Sequence, residues 1–264
     1  MSDSSFSTWV AGRSVEGREI VVRSSFDPLE QPAPPGLTLL IGGQHGNEPA
    51  TVHLLEEFQP PTGPVAILAC ANPDGLIAHS RYNACGVDIN RNCEFNWSQQ
   101  SEEPSGPHPW SEPETVALRD CILALRPAKI VSLHWALAEI DADGVQSTSL
   151  AEAMWAALPP AQQTVYRLRV TEIGRGQRRL QHTYAECPGS LGQWCGYGLR
   201  YPDGSAPAMV TLELPHDPDL DRPAVLPDDH LETVHAAWAE DSEGYLRAVT
   251  PGVYAMLDAA CRHA

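Results

Sequence analysis

Leu37-Thr38-Leu39-Leu40-Ile41-Gly42-Gly43-Gln44-His45-Gly46-Asn47-Glu48 is an apolar run that stops at two glycines and then presents a histidine and a glutamate. The run has the length of a buried strand, and the glycines read as a tight turn at its carboxyl end. Open α/β sheets place their chemistry at that end of their strands. Imidazole and carboxylate both bind zinc, and a catalytic zinc takes three protein ligands and a water, so His45 and Glu48 need one further ligand. Alone, a His-x-x-Glu pair is a weak signal, because such pairs arise on many polar turns.

The flanking sequence supplies a sheet around this strand. Upstream, Trp9-Val10 and Glu19-Ile20-Val21-Val22 are β-prone runs around Gly12-Arg13-Ser14-Val15-Glu16-Gly17-Arg18, the pattern of a hairpin. Downstream, Pro49 suits a first helical turn, and Val52, Leu54, Leu55 and Phe58 recur at helical spacing. Val65 to Cys70 is the next apolar run and ends in the turn signal Asn72-Pro73-Asp74-Gly75. Strand, helix, strand in this order implies a parallel pair with a right-handed crossover. Ser111-Glu112-Pro113-Glu114 has capping-box spacing and opens a helix to about Arg126. Lys129 to Leu133 reads as a third buried strand, ending in His134. A helix over 149–158, a β-prone run over 165–170, a strand over 209–212 and helical stretches near 229–239 and 250–262 complete the chain. The expected fold is a single α/β domain spanning 1–264, with a mixed, mostly parallel sheet flanked by helices, a core over about 12–215 and a helical extension over 216–264.

Three strand-like runs thus deliver ionisable residues at their carboxyl ends: His45 with Glu48, His134, and Glu213. Parallel strands share that edge, so residues remote in sequence converge there. Two histidines and a glutamate are the ligand set of a hydrolytic zinc site, and a further carboxylate can take the proton of a water whose pKa falls to ~7 on coordination. Between them lies a long polar segment, 76–110, containing Arg81 and Asn90-Arg91. A loop of that length in a compact domain is uncommon unless functional. Its arginines would supply fixed positive charge for a developing oxyanion and for a substrate carboxylate.

The motifs Gly12 to Arg18, His45-Gly46-Asn47-Glu48, Asn72 to Gly75, Gly86-Val87-Asp88-Ile89-Asn90-Arg91-Asn92, Ser132-Leu133-His134 and Thr211-Leu212-Glu213-Leu214 make the chain, from about Gly12 to Pro215, resemble the zinc carboxypeptidases of the carboxypeptidase A type. Within that family it is similar to bacterial murein tripeptide amidases, cytoplasmic enzymes of cell-wall recycling that cut between γ-D-glutamate and diaminopimelate. That further likeness lies in Arg81-x-Asn83, Ser111 to Thr115 and Pro188 to Cys195. The resemblance implies one zinc held by His45, Glu48 and His134, with Glu213 as general base and then acid. It also implies that Arg81 assists the oxyanion, that Asn90 and Arg91 hold the carboxylate of the leaving amino acid, and that Tyr184 closes over substrate. Tyr184 fits when counted from Gly189-Ser190 and is one place off when counted from Trp194. The His45 to Glu48 motif is also similar to that of aspartoacylase-like N-acyl amino acid deacylases, and a carboxypeptidase acting on ordinary peptides is the other alternative.

Ordinary structural uses exist for each residue: His134 as a core histidine, Glu213 as a buried ion-pair partner, Arg91 as a brace for Asp88, Arg81 on the surface, Asp141 and Asp143 as loop solvation. In the functional reading Asp141 and Asp143 would hold the extra amine of diaminopimelate. The formal net charge of −17 argues against nucleic acid or an anionic membrane as partner. The expected partner is a small peptide with a free C-terminal carboxylate. Seven scattered cysteines with no CxxC pair read as reduced thiols. With no basic-then-apolar leader and no apolar run near ~20 residues, a cytoplasmic location is expected. Oligomeric state is not legible.

Overall fold

The computed structural model describes residues 6–61, 63–170, 187–216 and 230–264. A seven-stranded sheet runs through its centre. Strands β1 (Ser7–Arg13) and β2 (Glu19–Ser24) form the expected antiparallel hairpin. β2 joins β4 (Val65–Leu68) antiparallel, and β4 lies parallel to β3 (Thr38–Ile41), which lies parallel to β5 (Lys129–Asp143). Helix α1 (Pro49–Glu57) makes the crossover between β3 and β4. Every residue of β3 and β4 is buried, which is why their sequences read as unbroken apolar runs rather than alternating ones.

β5 is longer than the expected strand and turns back on itself. From Lys129↔Ala208 to Trp135↔Leu214 it runs parallel to β7 (Ala208–Pro215); from Glu139↔Glu213 to Asp143↔Met209 the partner numbers fall, so its second half returns along β7 in the opposite direction. The reversal occurs at Ala136 to Ala138, and Ala138 takes a left-handed φ of 51°. β6 (Arg167–Arg169) pairs with this returning half. The end of β7 is pinned by two buried donors to the Pro215 carbonyl, Trp135 Nε1 at 2.9 Å and Tyr245 Oη at 2.8 Å.

Helices α4 (Thr148–Ala157) and α6 (His230–Arg262) cover one face with α1, burying a cluster that includes Leu54, Met154, Val253 and Leu257. On the other face α3 (Pro113–Leu125) and the segment from α5 (Leu191–Gln193) through a π-helical turn (Trp194–Gly198) cover Ile20, Leu39, Ile41 and Met209. Each such fully buried aliphatic side chain contributes about 1.5–3 kcal/mol. The C-terminal stretch His230–Arg262 is two helices, as expected, divided at Asp241, whose backbone is non-helical and whose carboxylate accepts from Gly244 N–H; the second helix starts earlier than expected and carries Pro251 inside it. The turn at Asn72 to Gly75 continues into a short helix, α2 (Pro73–Ala78), capped by the Asn72 side chain. α3 opens without the expected capping box: Glu112 is its N-cap with no side-chain cap bond, and the Glu114 carboxylate accepts instead from the backbone of Val15. No helix among the described residues is long and apolar enough to cross a membrane.

Candidate active site

The turn after β3 is fixed from three sides. Thr51 Oγ1 donates to the Glu48 carbonyl and accepts from Gly43 N–H, while Asn72 Nδ2 donates to the Gln44 carbonyl. A Cβ on Gly46 would lie 1.8 Å from the Gly75 carbonyl carbon, so only glycine allows the two turns to touch. Glu48 begins α1 but makes no cap bond; its carboxylate is turned toward two histidines.

His45, Glu48 and His134 are each 3 % exposed. Glu48 Oε1 lies 2.7 Å from His45 Nδ1, Glu48 Oε2 lies 3.3 Å from His134 Nδ1, and the two Nδ1 atoms are 3.3 Å apart. Ligands about 2.0–2.1 Å from a tetrahedral ion stand roughly 3.3 Å from one another, so the spacing suits one zinc.

The outer ring nitrogens decide which atoms face inward. His45 Nε2 meets Asp88 Oδ1 at 3.1 Å, a carboxylate that can only accept. His134 Nε2 lies 2.9 Å from the Gln44 amide, whose other contact is the Ser132 hydroxyl at 2.6 Å. With the amide oxygen toward the ring, it accepts from His134 Nε2–H and from the Ser132 hydroxyl. Both imidazoles then carry their proton outside and turn lone pairs onto the Glu48 carboxylate. Three electron-rich atoms converge where only a cation reconciles them, which is the fit a zinc requires.

The charge balance follows the same geometry. Burial favours the neutral carboxyl of Glu48, but in the absence of a metal, positive charge on the two histidines, once protonated, outweighs it and draws its pKa down to about 2. Burial and Arg81 oppose protonation of His45, yet Glu48 and Asp88 carry its pKa upward; burial prevails at His134 and lowers it. Glu213 sits on β7 in register with His134, and burial together with repulsion from Glu48 raises its carboxyl to about 8.

The long loop is closed by its own side chains. Asp88, fully buried, accepts from Asn90 N–H and His45 on Oδ1 and from Arg81 Nε (3.0 Å) and Nη2 (2.7 Å) on Oδ2. The brace on Asp88 is therefore Arg81, not Arg91. Arg81 Nη1 reaches to 3.4 Å from His45 Nδ1. Arg91 donates to the Asn90 carbonyl and approaches Cys187 Sγ, and Asn90 Oδ1 accepts from Leu191 N–H, which leaves its amide nitrogen as a donor. Asn83 and Asn92 tie the loop to Glu112, Glu114, Ser111 and Thr115. The motif at 111–115 is thus the loop's scaffold.

His45, Glu48, His134, Arg81, Asn90, Arg91 and Glu213 all line one cavity of about 220 Å³. Tyr184 lies outside the described residues. Asp88, Gln44 and Ser132 were not singled out by the sequence as partners of the ligand set; an acid and an amide beside ligand histidines, in Asp88-Ile89-Asn90-Arg91 and Gln44-His45, are the available signals. Nor was the returning half of β5 expected. Its residues Glu139, Asp141 and Asp143, with Thr211 of β7, line the inner end of the same cavity.

Residues 64–195 match the family model described as zinc carboxypeptidase. This chain belongs to the zinc carboxypeptidase family. The match takes in Arg81, Asn90, Arg91 and His134. Among curated proteins, this zinc carboxypeptidase is 33 % identical over 176 residues to murein peptide amidase A of Escherichia coli strain K12, an alignment covering 60 % of this chain and 65 % of the relative. It thus spans just under two thirds of that relative's length. Among solved structures, the murein-tripeptide amidase of Escherichia coli O157 superposes with a TM-score of 0.54 at 28 % identity, covering 88 % of this chain and 90 % of that one. Carboxypeptidase A of Helicoverpa armigera, at 20 % identity and a TM-score of 0.59 over 96 % of this chain and 69 % of that one, shares the fold.

Proposed function

We propose that this zinc carboxypeptidase is a hydrolase that releases a C-terminal amino acid from a small peptide, acting on the γ-D-glutamyl–diaminopimelate bond of the murein tripeptide in the cytoplasm, during cell-wall recycling. The observation that carries the reading is the single cavity in which the His45, Glu48 and His134 set meets Glu213 and three cationic or amide side chains. The likeness to proteins named murein peptide amidase supports the finer substrate.

A bound zinc in this set would polarise the scissile carbonyl and acidify the attacking water. The chain's own groups do the rest. Glu213 has the raised proton affinity needed to take a proton from water and return it to the leaving nitrogen. Arg81, fixed by Asp88, aims charge beside the ligand set where an oxyanion develops. Asn90 and Arg91 offer donors to the free carboxylate, which restricts cleavage to the last residue. Burial of the acid–base and ligand side chains excludes competing water.

A substrate panel tests the reading: L-alanyl-γ-D-glutamyl-diaminopimelate, α-linked peptides ending in basic or aromatic residues, and N-acyl amino acids. Preference for the γ-linked tripeptide is expected. Preference for α-peptides would make it a general carboxypeptidase, and cleavage of N-acyl amino acids alone would move it to the deacylase branch.

A further inference from the structure

The carboxyl end of β7 meets the C-terminal stretch at the Pro215 carbonyl oxygen. Pro215 has no N–H, so that carbonyl is the last ladder group the strand can offer. It accepts from Trp135 Nε1 at 2.9 Å and from Tyr245 Oη at 2.8 Å, which occupies both of its lone pairs with side-chain donors. Trp135 and Tyr245 are each 2 % exposed, so neither donor finds water as a substitute if the carbonyl moves.

The two donors come from different parts of the chain. Trp135 follows His134 on β5 and lines the cavity. Tyr245 lies in the second C-terminal helix, 30 residues after Pro215. Their rings stand 4.8 Å apart, and the ring of Trp238, just before the division at Asp241, stands edge-on at 5.7 Å from Trp135 and 6.1 Å from Tyr245. Aromatic pairs in such arrangements are favourable, and together they hold both donors toward the same oxygen.

The strand register carries this anchor to the reacting end of the cavity. His134 stands opposite Glu213, Ala136 and Leu137 stand opposite Pro215, and after the reversal Glu139 stands opposite Glu213 again. Glu213 is therefore flanked by both arms of the bend. The Leu137 N–H, at the bend itself, lies close enough to the Glu213 carboxyl to favour its ionised form, while Glu213 Oε2 has no hydrogen-bond partner among the described residues. A closed circuit results: His134 joins Trp135 through the backbone, Trp135 joins Pro215 through its indole, and Pro215 leads back through Leu214 to Glu213, opposite His134. Tyr245 ties that circuit to the C-terminal helix.

We propose that Tyr245 is a positioning residue for the hydrolysis: by holding the Pro215 carbonyl together with Trp135, it fixes the end of β7 and thereby the distance from the Glu213 carboxylate to the His45, Glu48 and His134 set. This rests on the reading of Glu213 as the acid–base group and deepens it. It also gives the C-terminal stretch a part in turnover, although none of its described residues lines the cavity. An acid–base group works when held within about 0.5 Å of its productive place, and a misplacement of roughly 1 Å costs up to about 10²-fold in rate.

Tyr245→Phe tests this, because it keeps the ring and leaves the carbonyl its bond from Trp135. The variant should retain one zinc and a KM within about twofold of wild type on the γ-linked tripeptide, while kcat falls by about 10- to 100-fold. Tyr254→Phe is the control: it removes a hydroxyl-to-carbonyl bond made by the same helix to Leu54 of α1, and kcat should not change. In a Glu213→Gln background, Tyr245→Phe should lower kcat by less than about twofold, since no base remains to misplace. Crystal structures of zinc-loaded wild type and Tyr245→Phe should show the Glu213 carboxylate displaced by more than about 0.5 Å relative to the ligand set. Should Tyr245→Phe not fold, Trp135→Phe, which removes the other donor, takes its place in the structural and double-variant measurements. An unmoved carboxylate, an equal loss in Tyr254→Phe, or a full further loss in the Glu213→Gln background would each overturn the positioning role. Wild-type rates in Glu213→Gln would instead overturn Glu213 as the base. If wild type cleaves no peptide, the hydrolase reading fails, and the two crystal structures still decide whether Tyr245 places Glu213.

Discussion

Replacing Asp88 with asparagine separates the ligand geometry from the charge that supports it. In the native site Asp88 Oδ1 takes Asn90 N–H and His45 Nε2–H, and Oδ2 takes two donors of Arg81. Asparagine is the same shape but has one acceptor. The Asn90 and His45 donors require that acceptor on their side, so the new NH2 group faces the guanidinium, donor against donor. Two consequences follow from one change. His45 loses the anionic partner that orients its ring and strengthens it as a ligand, an effect typically worth about 10- to 100-fold in metal affinity, or about 1.4–2.7 kcal/mol. Arg81 loses its anchor beside the ligand set, and removal of an oxyanion donor typically lowers turnover by about 10²–10³. Chelator competition at fixed pH measures the first, and kcat/KM at saturating zinc isolates the second. A variant with wild-type zinc affinity and wild-type turnover would refute the claim that Asp88 supports both residues.

Glu213→Gln should keep zinc, since the ligand set is untouched, and lower turnover by about 10²–10⁴; wild-type rates would assign the proton transfer to another group. Acid stability should depend on Asp74. Burial opposes its ionised form, but the Ser14 hydroxyl, Glu16 N–H and Arg18 outweigh it and lower its pKa in the folded chain. The unfolded chain then binds the proton more tightly, so the stabilisation is complete above an unfolded pKa of about 3.9 and is lost as pH falls through the lower folded value. Asp74→Asn should therefore lower Tm near neutrality by roughly 2–8 °C, from about 1–2 kcal/mol, and flatten the fall of Tm at acid pH; an unchanged acid slope would contradict this.

What was legible in the sequence were the features in which one physical cause dominates. β3, β4 and the first half of β5 are buried on both faces, and apolar runs ending in His45, His134 and the Glu213 strand report that directly. The second half of β5 was not read as a strand, because its outward face is Glu139, Asp141 and Asp143. Charged residues at alternate positions look like a solvated loop until the partner strand with Arg167 and Arg169 is in place. Asn72-Pro73-Asp74-Gly75 has the composition of a turn, yet Asn72 accepts from Gly75 N–H and starts a helix, a choice that capping decides. The capping box at Ser111 to Glu114 failed because a bond to Val15, remote in sequence, competes for the same carboxylate. Gln44 and Asp88 acquire their roles only where separate elements meet, at His134 and His45.

His45, Glu48 and His134 form one candidate zinc site, on which the proposed hydrolysis depends. Metal analysis of protein purified without added zinc or chelator, beside His45→Ala prepared in the same way, tests it most directly. Wild type should carry about one equivalent of zinc and the variant, reduced to two ligands, should lose it. Stoichiometric zinc retained in His45→Ala would contradict the site.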